Sequence, residues 1–233
     1  MTKKFLLVCL CLSVFICGCQ KEPARKKEAW EKREQVYTDH PPEHWLELIQ
    51  HRNPRVRDKA APMVVQYGKS QVPPLVKILE TTKSSGVRFS VVRALGSFGG
   101  DAAAAVPALC KVLKDKDWSK RDVAAEALGK IRGDMERTIP ALMEALKDED
   151  TRVRGAVVRA FGRIGSGDRR IVSALATALE DEDMEVRAEA ADALAAIGPE
   201  ANAAIAALEK AAKCEYFNVS MAAQEALRKI RGD

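Results

Sequence analysis

VRGAVVRAFGRIG, running from Val153 to Gly165, places apolar side chains at its first, fifth, eighth, ninth and twelfth positions: Val153, Val157, Ala160, Phe161 and Ile164. That spacing gathers them on one face of an α-helix. Close copies begin at Val87 (VRFSVVRALGSFG) and Val186 (VRAEAADALAAIG), and looser ones at Val56, Lys120 and Val219. Their starts are 31 residues apart once and then 33 apart four times. A period of this size marks stacked supersecondary units, none of which buries its apolar face alone.

A second apolar run follows each phrase after a short polar connector: PPLVKIL from Pro73, VPALCKVL from Val106, IPALMEAL from Ile139, IVSALATAL from Ile171 and NAAIAALEKAA from Asn202. Each unit is therefore a helix pair, A then B. Pro107 and Pro140 are expected in the first turn of their B helices, where a missing N–H breaks no helical bond. Gly68, Gly99, Gly165 and Gly198 are expected to close helix A in the left-handed conformation, with Gly133 and Gly232 doing so one residue later. Gly96, Gly129 and Gly162, matched by Ala195, lie inside helix A and predict close helix–helix approach. The acidic clusters Asp115 to Asp117, Asp148 to Asp150 and Glu180 to Asp183 precede helix A and are read as caps. None has the ligand order of a calcium loop.

The VRxxAAxALGxIG phrase, a following VPALxxAL run and an acidic DED together resemble the short HEAT repeat, most closely the type found in phycobilin lyase-like proteins. The resemblance covers about residues 53 to 232. It implies an all-α, right-handed α-solenoid of five helix pairs plus flanking helices, with a partial helix B (HWLELIQ, His44 to Gln50) in front. The T-P-L-H element of ankyrin repeats and the W-x-x-L-G-x-x-Y pattern of tetratricopeptide repeats are both missing. Arg57, Arg88, Arg121, Arg154 and Arg187 recur at the second position of the phrase. They are expected to pair with carboxylates of their own or a neighbouring unit as an inter-repeat ladder.

The amino terminus carries a different message. Lys3 and Lys4 precede an apolar stretch, Phe5 to Cys17, that is short for a bilayer-spanning helix and turns polar after Cys19, the pattern of an export signal. Ile16, Cys17, Gly18 and Cys19 resemble a bacterial lipobox, with Cys17 where alanine, serine or threonine is usual. The resemblance implies cleavage before Cys19 and lipidation of its thiol. The expected organisation is residues 1–18 as lipoprotein signal peptide, 19–42 as lipidated cysteine and tether, and 43–233 as HEAT-repeat solenoid. The tether segment KEPARKKEAWEKREQ has six basic and four acidic residues and almost no apolar face. Gln20 follows the anchor where aspartate would signal inner-membrane retention, so the periplasmic face of the outer membrane is the expected location in a Gram-negative host. Of the remaining cysteines, Cys110 and Cys214 fall three repeats apart, too far for a bridge.

Charge is unevenly spread: residues 53–117 sum to +6 and residues 118–233 to −3. The HEAT resemblance places the polar side of helix B on the concave surface. Lys77, Lys111, Glu144, Thr177 and Lys210 align there, beside Lys114, Lys147, Glu180 and Lys213, and these nine form the candidate partner-binding stripe. Reaction chemistry is not legible. His40, His44 and His51 all fall at the amino-terminal edge, Pro41 and Pro42 interrupt any helix aligning the first two, and no His-Glu pair recurs as in HEAT-type iron hydroxylases. No catalytic residue, metal or cofactor is expected. Aromatic residues make up 5% of the chain and export removes it from the nucleoid, so nucleic acid is not an expected partner. The reading is a membrane-anchored, non-enzymatic scaffold binding an extracytoplasmic protein or peptide. The alternative is an accessory subunit of a bilin- or haem-related enzyme, or a lyase-like enzyme.

Overall fold

The computed structural model describes residues 40–165 and 167–232, apart from the side chain of Trp118, and these are helical with no strand. The expected signal segment, Cys19 and the tether up to residue 39 lie outside them. After α1 (Pro42–Leu48) come five pairs: α2 (Pro54–Gln66) with α3 (Val72–Thr81), α4 (Ser85–Ser97) with α5 (Val106–Val112), α6 (Trp118–Ile131) with α7 (Met135–Ala145), α8 (Thr151–Ile164) with α9 (Arg169–Ala178), and α10 (Met184–Ile197) with α11 (Ile205–Ala211). The last helix A, α12 (Phe217–Arg231), follows without a partner among the described residues. None of these helices is long and apolar enough to cross a membrane.

The apolar face read from the phrase is the core. Val153, Val157, Ala160 and Phe161 are fully buried and Ile164 nearly so, and Leu75, Leu109, Leu142 and Leu175 meet them or their equivalents from the B helices. Burying each such leucine or phenylalanine contributes about 1.5–3 kcal/mol. Successive A helices pack tightly on one another, whereas successive B helices approach much less closely. Glycine explains part of that difference. A Cβ built at Gly96 would lie 3.0 Å from Ala127, at Gly129 2.6 Å from the Ala160 backbone, and at Gly162 3.0 Å from Ala193.

The acidic loops do cap helix A. Asp117, Asp150 and Asp183 occupy the N-cap and accept from the N–H groups of Ser119, Arg152 and Glu185, each cap stabilising by about 1 kcal/mol. Three expectations are corrected. Gly68 and Gly198 have positive φ but ψ of −173° and −142°, outside the left-handed helical region. Gly133 does not close α6: Arg132 takes the left-handed position, with φ 52°. The 33-residue register places Arg132 where Gly165 stands in the next unit with φ 60°, so that geometry is kept without the glycine. Gly133 instead gives room to the Ala103 backbone, 3.1 Å from where its Cβ would be. Pro140 is not in a first turn either. Since α7 starts at Met135, Pro140 is its sixth residue, and the missing N–H leaves the Glu136 carbonyl on the exposed side of the helix.

Gly155 and Gly162 mark the stripe of helix A that faces the next repeat. Its equivalents in α12 are Phe217, Met221, Gln224 and Arg228. Gln224 and Arg228 are exposed, and Arg228 holds Glu225 at 2.8 Å, drawing its carboxyl down to about 2. The other half of the stripe is open as well: Phe217 is 75% exposed and Met221 50%.

Candidate functional site

The hairpin tips between each B helix and the next A helix are organised by the arginines. Arg88 donates to Asp115 at 2.6 Å, Arg121 to both Asp148 oxygens at 2.6 and 2.7 Å, and Arg154 to both Asp181 oxygens at 2.8 and 2.9 Å. Each pair is separated by 27 residues, so each arginine reaches the loop of the following unit. Each also donates backward to carbonyls of its own loop, as Arg154 does to Asp148 at 2.9 Å. Planar, two-pronged guanidinium suits this double duty. Burial opposes ionisation of Asp115, yet the Asp117 N–H and Arg88 together hold its carboxyl below the ordinary range.

The ladder is incomplete at both ends. Arg57 meets Ser90 Oγ at 3.1 Å and the carbonyls of His51 and Arg52, because Thr82 stands where later loops have aspartate. Arg187 donates to the Asp181 and Glu182 carbonyls and lies 4.9 Å over the Tyr216 ring, and Cys214 occupies the acid's place 27 residues on. Cys214→Asp is therefore expected to stabilise the protein by about 1 kcal/mol, seen as a higher thermal midpoint. Cys214→Asn, lacking the charge, should gain less, and equal midpoints for the two would show that Arg187 does not use an anion.

Because the B helices stand apart, open clefts lie between their ends. One, of about 370 Å³, is lined by Cys110, Lys114, Arg121, Glu144, Lys147 and Glu149, among others. A second, of about 320 Å³, lies one repeat earlier, against Glu80, Arg88, Lys111 and Asp115. Burial pushes the Cys110 thiol up from its ordinary value. The predicted stripe divides over this surface. Lys114, Glu144 and Lys147 converge on the first cleft, with Lys114 2.9 Å from Glu144. Lys111 belongs to the second and faces Glu80 at 3.7 Å, and Lys210 binds Glu180 at 2.6 Å. Thr177 turns back on its own helix, donating to the Ser173 carbonyl at 3.1 Å. Lys77 and Lys213 are exposed and, like Lys147, join no ion pair among the described residues. Glu80, Cys110 and Glu149 were missed from the sequence. The repeat period applied to the loops would have found Glu149.

Among the described residues, no three His, Cys, Asp or Glu side chains are placed to hold a metal. His51 Nδ1 accepts from the Asn53 N–H at 3.1 Å, and His44 lies edge-on to Trp45.

The family model described as HEAT repeats matches residues 42–106, 106–168 and 139–228. The chain belongs to the HEAT-repeat family. No curated protein matches it. Among solved structures, this HEAT-repeat chain is similar to an engineered protein from the Northeast Structural Genomics Consortium, at 26% identity over 82% of this chain and 96% of that one, with a TM-score of 0.59. It is also similar to a designed armadillo repeat protein in complex with the peptide (KR)4, at 22% identity over 80% and 98% of the two chains, TM-score 0.57. A third likeness is to the complex of CpcE and CpcF of phycocyanin lyase from Nostoc sp. PCC7120, at 20% identity over 65% and 96%, TM-score 0.59. The last two, at this identity, speak for the fold alone. A HEAT/armadillo-type repeat scaffold is thus the architecture that sequence, structure and relatives share.

Proposed function

We propose that this chain is an exported, lipid-anchored, non-enzymatic scaffold that holds an extracytoplasmic protein or peptide against its row of B helices. One observation carries the reading: the A helices are closed on one another, while the B helices stand apart over open clefts framed by charged side chains at repeat intervals. A surface with that periodicity suits a partner lying along several repeats. At the clefts Arg88, Lys111, Lys114 and Arg121 are engaged in inter-repeat ion pairs with Asp115, Glu80, Glu144 and Asp148. The Cys110 thiol is shifted opposite to an activated nucleophile.

Attachment is assigned to Cys19 on the strength of the Ile16 to Cys19 motif and the apolar stretch before it. Several acyl chains on one residue give lasting attachment, unlike a single myristoyl group. The charged segment from Gln20 to Pro42 spaces the repeats from the bilayer, and Gln20 favours the periplasmic face of the outer membrane in a host that has one.

Crosslinking the membrane-bound protein in its native host, with mass spectrometry of the captured partner and of the N-terminal peptide, tests both halves. Expected are acylated Cys19 and a partner whose capture falls about tenfold, some 1.4 kcal/mol, when Lys77, Lys111 and Lys114 are all changed to glutamate. Undiminished capture would remove the B-helix row as the contact, and an unacylated N-terminal peptide would remove the anchor.

A further inference from the structure

The residue just before each helix-A N-cap stands at the tip of its hairpin loop. From the loop before α4 to the loop before α12 these residues are Lys83, Lys116, Glu149, Glu182 and Glu215, 33 residues apart throughout, and all five are exposed. The sign reverses once along the row. Lys83 and Lys116 join no ion pair among the described residues. Glu182 lies 3.0 Å from Arg154 and Glu149 4.0 Å from Arg121, yet their side chains stay 81% and 93% exposed. Both arginines are also matched by Asp181 and Asp148, and the glutamates remain open to solvent.

The neighbouring row of B-helix ends lacks this order. Lys114, Lys147, Glu180 and Lys213 carry one acid among three cations and so change sign twice, and Lys114 and Glu180 are tied to Glu144 and Lys210. The polarity therefore resides in the loop tips, at the rim of the clefts, where Glu149 lines the larger one.

We infer that the partner presents an extended segment of divided charge, with acidic residues over the Lys83 and Lys116 loops and basic residues over the Glu149, Glu182 and Glu215 loops. This rests on the scaffold reading above and specifies its partner. Packed repeats succeed one another at about 10 Å and an extended chain advances about 3.3 Å per residue, so contacts fall on about every third residue of the segment. Each exposed pair contributes little. Discrimination comes from order, because a segment with interleaved charges sets like against like at several loops.

Two fluorescent peptides of identical composition test this on the full-length protein by anisotropy. One carries two glutamates and then three lysines at every third position; the other interleaves the same residues. The divided peptide is expected to bind about tenfold more tightly at low salt, with the advantage lost at high salt. Lys83→Glu with Lys116→Glu should erase the advantage, both lysine side chains being exposed and outside the ion pairs of the ladder, which uses only the Lys116 carbonyl. Equal binding of the two peptides, no binding of either, or an advantage surviving the double substitution would overturn the charge rule. A native partner still crosslinked to Lys114 or Lys147 in that event would leave the scaffold reading standing by itself.

Discussion

Arg154→Ala is expected to lower the unfolding free energy by about 3–5 kcal/mol, read as an earlier urea midpoint. The wild-type side chain holds Asp181 with two bonds, Glu182 with a third, and the Asp148 and Glu149 carbonyls of its own loop. Truncation leaves the Asp181 carboxylate, only 11% exposed, without its cation. An uncompensated buried charge costs far more than a surface pair contributes. Arg88 supplies the contrast: it is 31% exposed, holds Asp115 by a single bond, and leaves that carboxylate, 15% exposed, with Lys120 nearby to favour its charge. Its alanine variant should lose only about 1 kcal/mol. Arg154→Lys should recover little, since an ammonium cannot fork across a carboxylate. Similar losses at both positions would mean that burial of the ion pair is not what the ladder contributes. Far-UV and tryptophan probes should be compared, because repeat arrays can unfold in parts.

The second large effect is expected at Gly129. An added Cβ meets the Ala160 Cα at 2.6 Å and its Cβ at 2.8 Å, contacts that only a shift of backbone can relieve. Gly129→Ala should therefore destabilise by about 1–3 kcal/mol, even though alanine in a helix interior ordinarily gains up to about 1 kcal/mol over glycine. The same change at Gly162, where the nearest contact is 3.0 Å, should be close to neutral. Ala195 already occupies that register one repeat later. Equal effects at the two glycines would show that A-helix spacing yields freely. Together the variants separate the two devices that join repeats, polar clamping at the loops and close backbone contact at the helix middles.

Much of this was legible in the chain because each repeat poses the same local problem. The apolar positions read from VRGAVVRAFGRIG are all buried, with Arg154, Gly155, Ala156 and Val158 buried beside them, the small residue at Gly129 sits where the neighbouring helix backbone presses close, and Asp117, Asp150 and Asp183 cap as their place before the helix requires. What escaped was set by relations between repeats. Lys111, Lys114 and Lys210 were placed in the stripe with no partner assigned, and neighbouring repeats bring Glu80, Glu144 and Glu180 to them. A single period does not encode which side chains meet across repeats. Arg57 and Arg187 were expected to have carboxylates; the first loop is two residues shorter and holds Thr82, and the last holds Cys214. Arg132 in the left-handed position and Pro140 within α7 both show the tertiary register overriding a residue's own preference.

The arginine clamps also give the molecule a direction. Every complete clamp belongs to one hairpin but closes only when the hairpin downstream is in place, so donor and acceptor always lie in successive repeats and each is ordered by the other. A lesion at either end of a clamp is therefore felt across one junction. The final hairpin, offering Arg187 a ring and no anion, makes the weakest junction in the series.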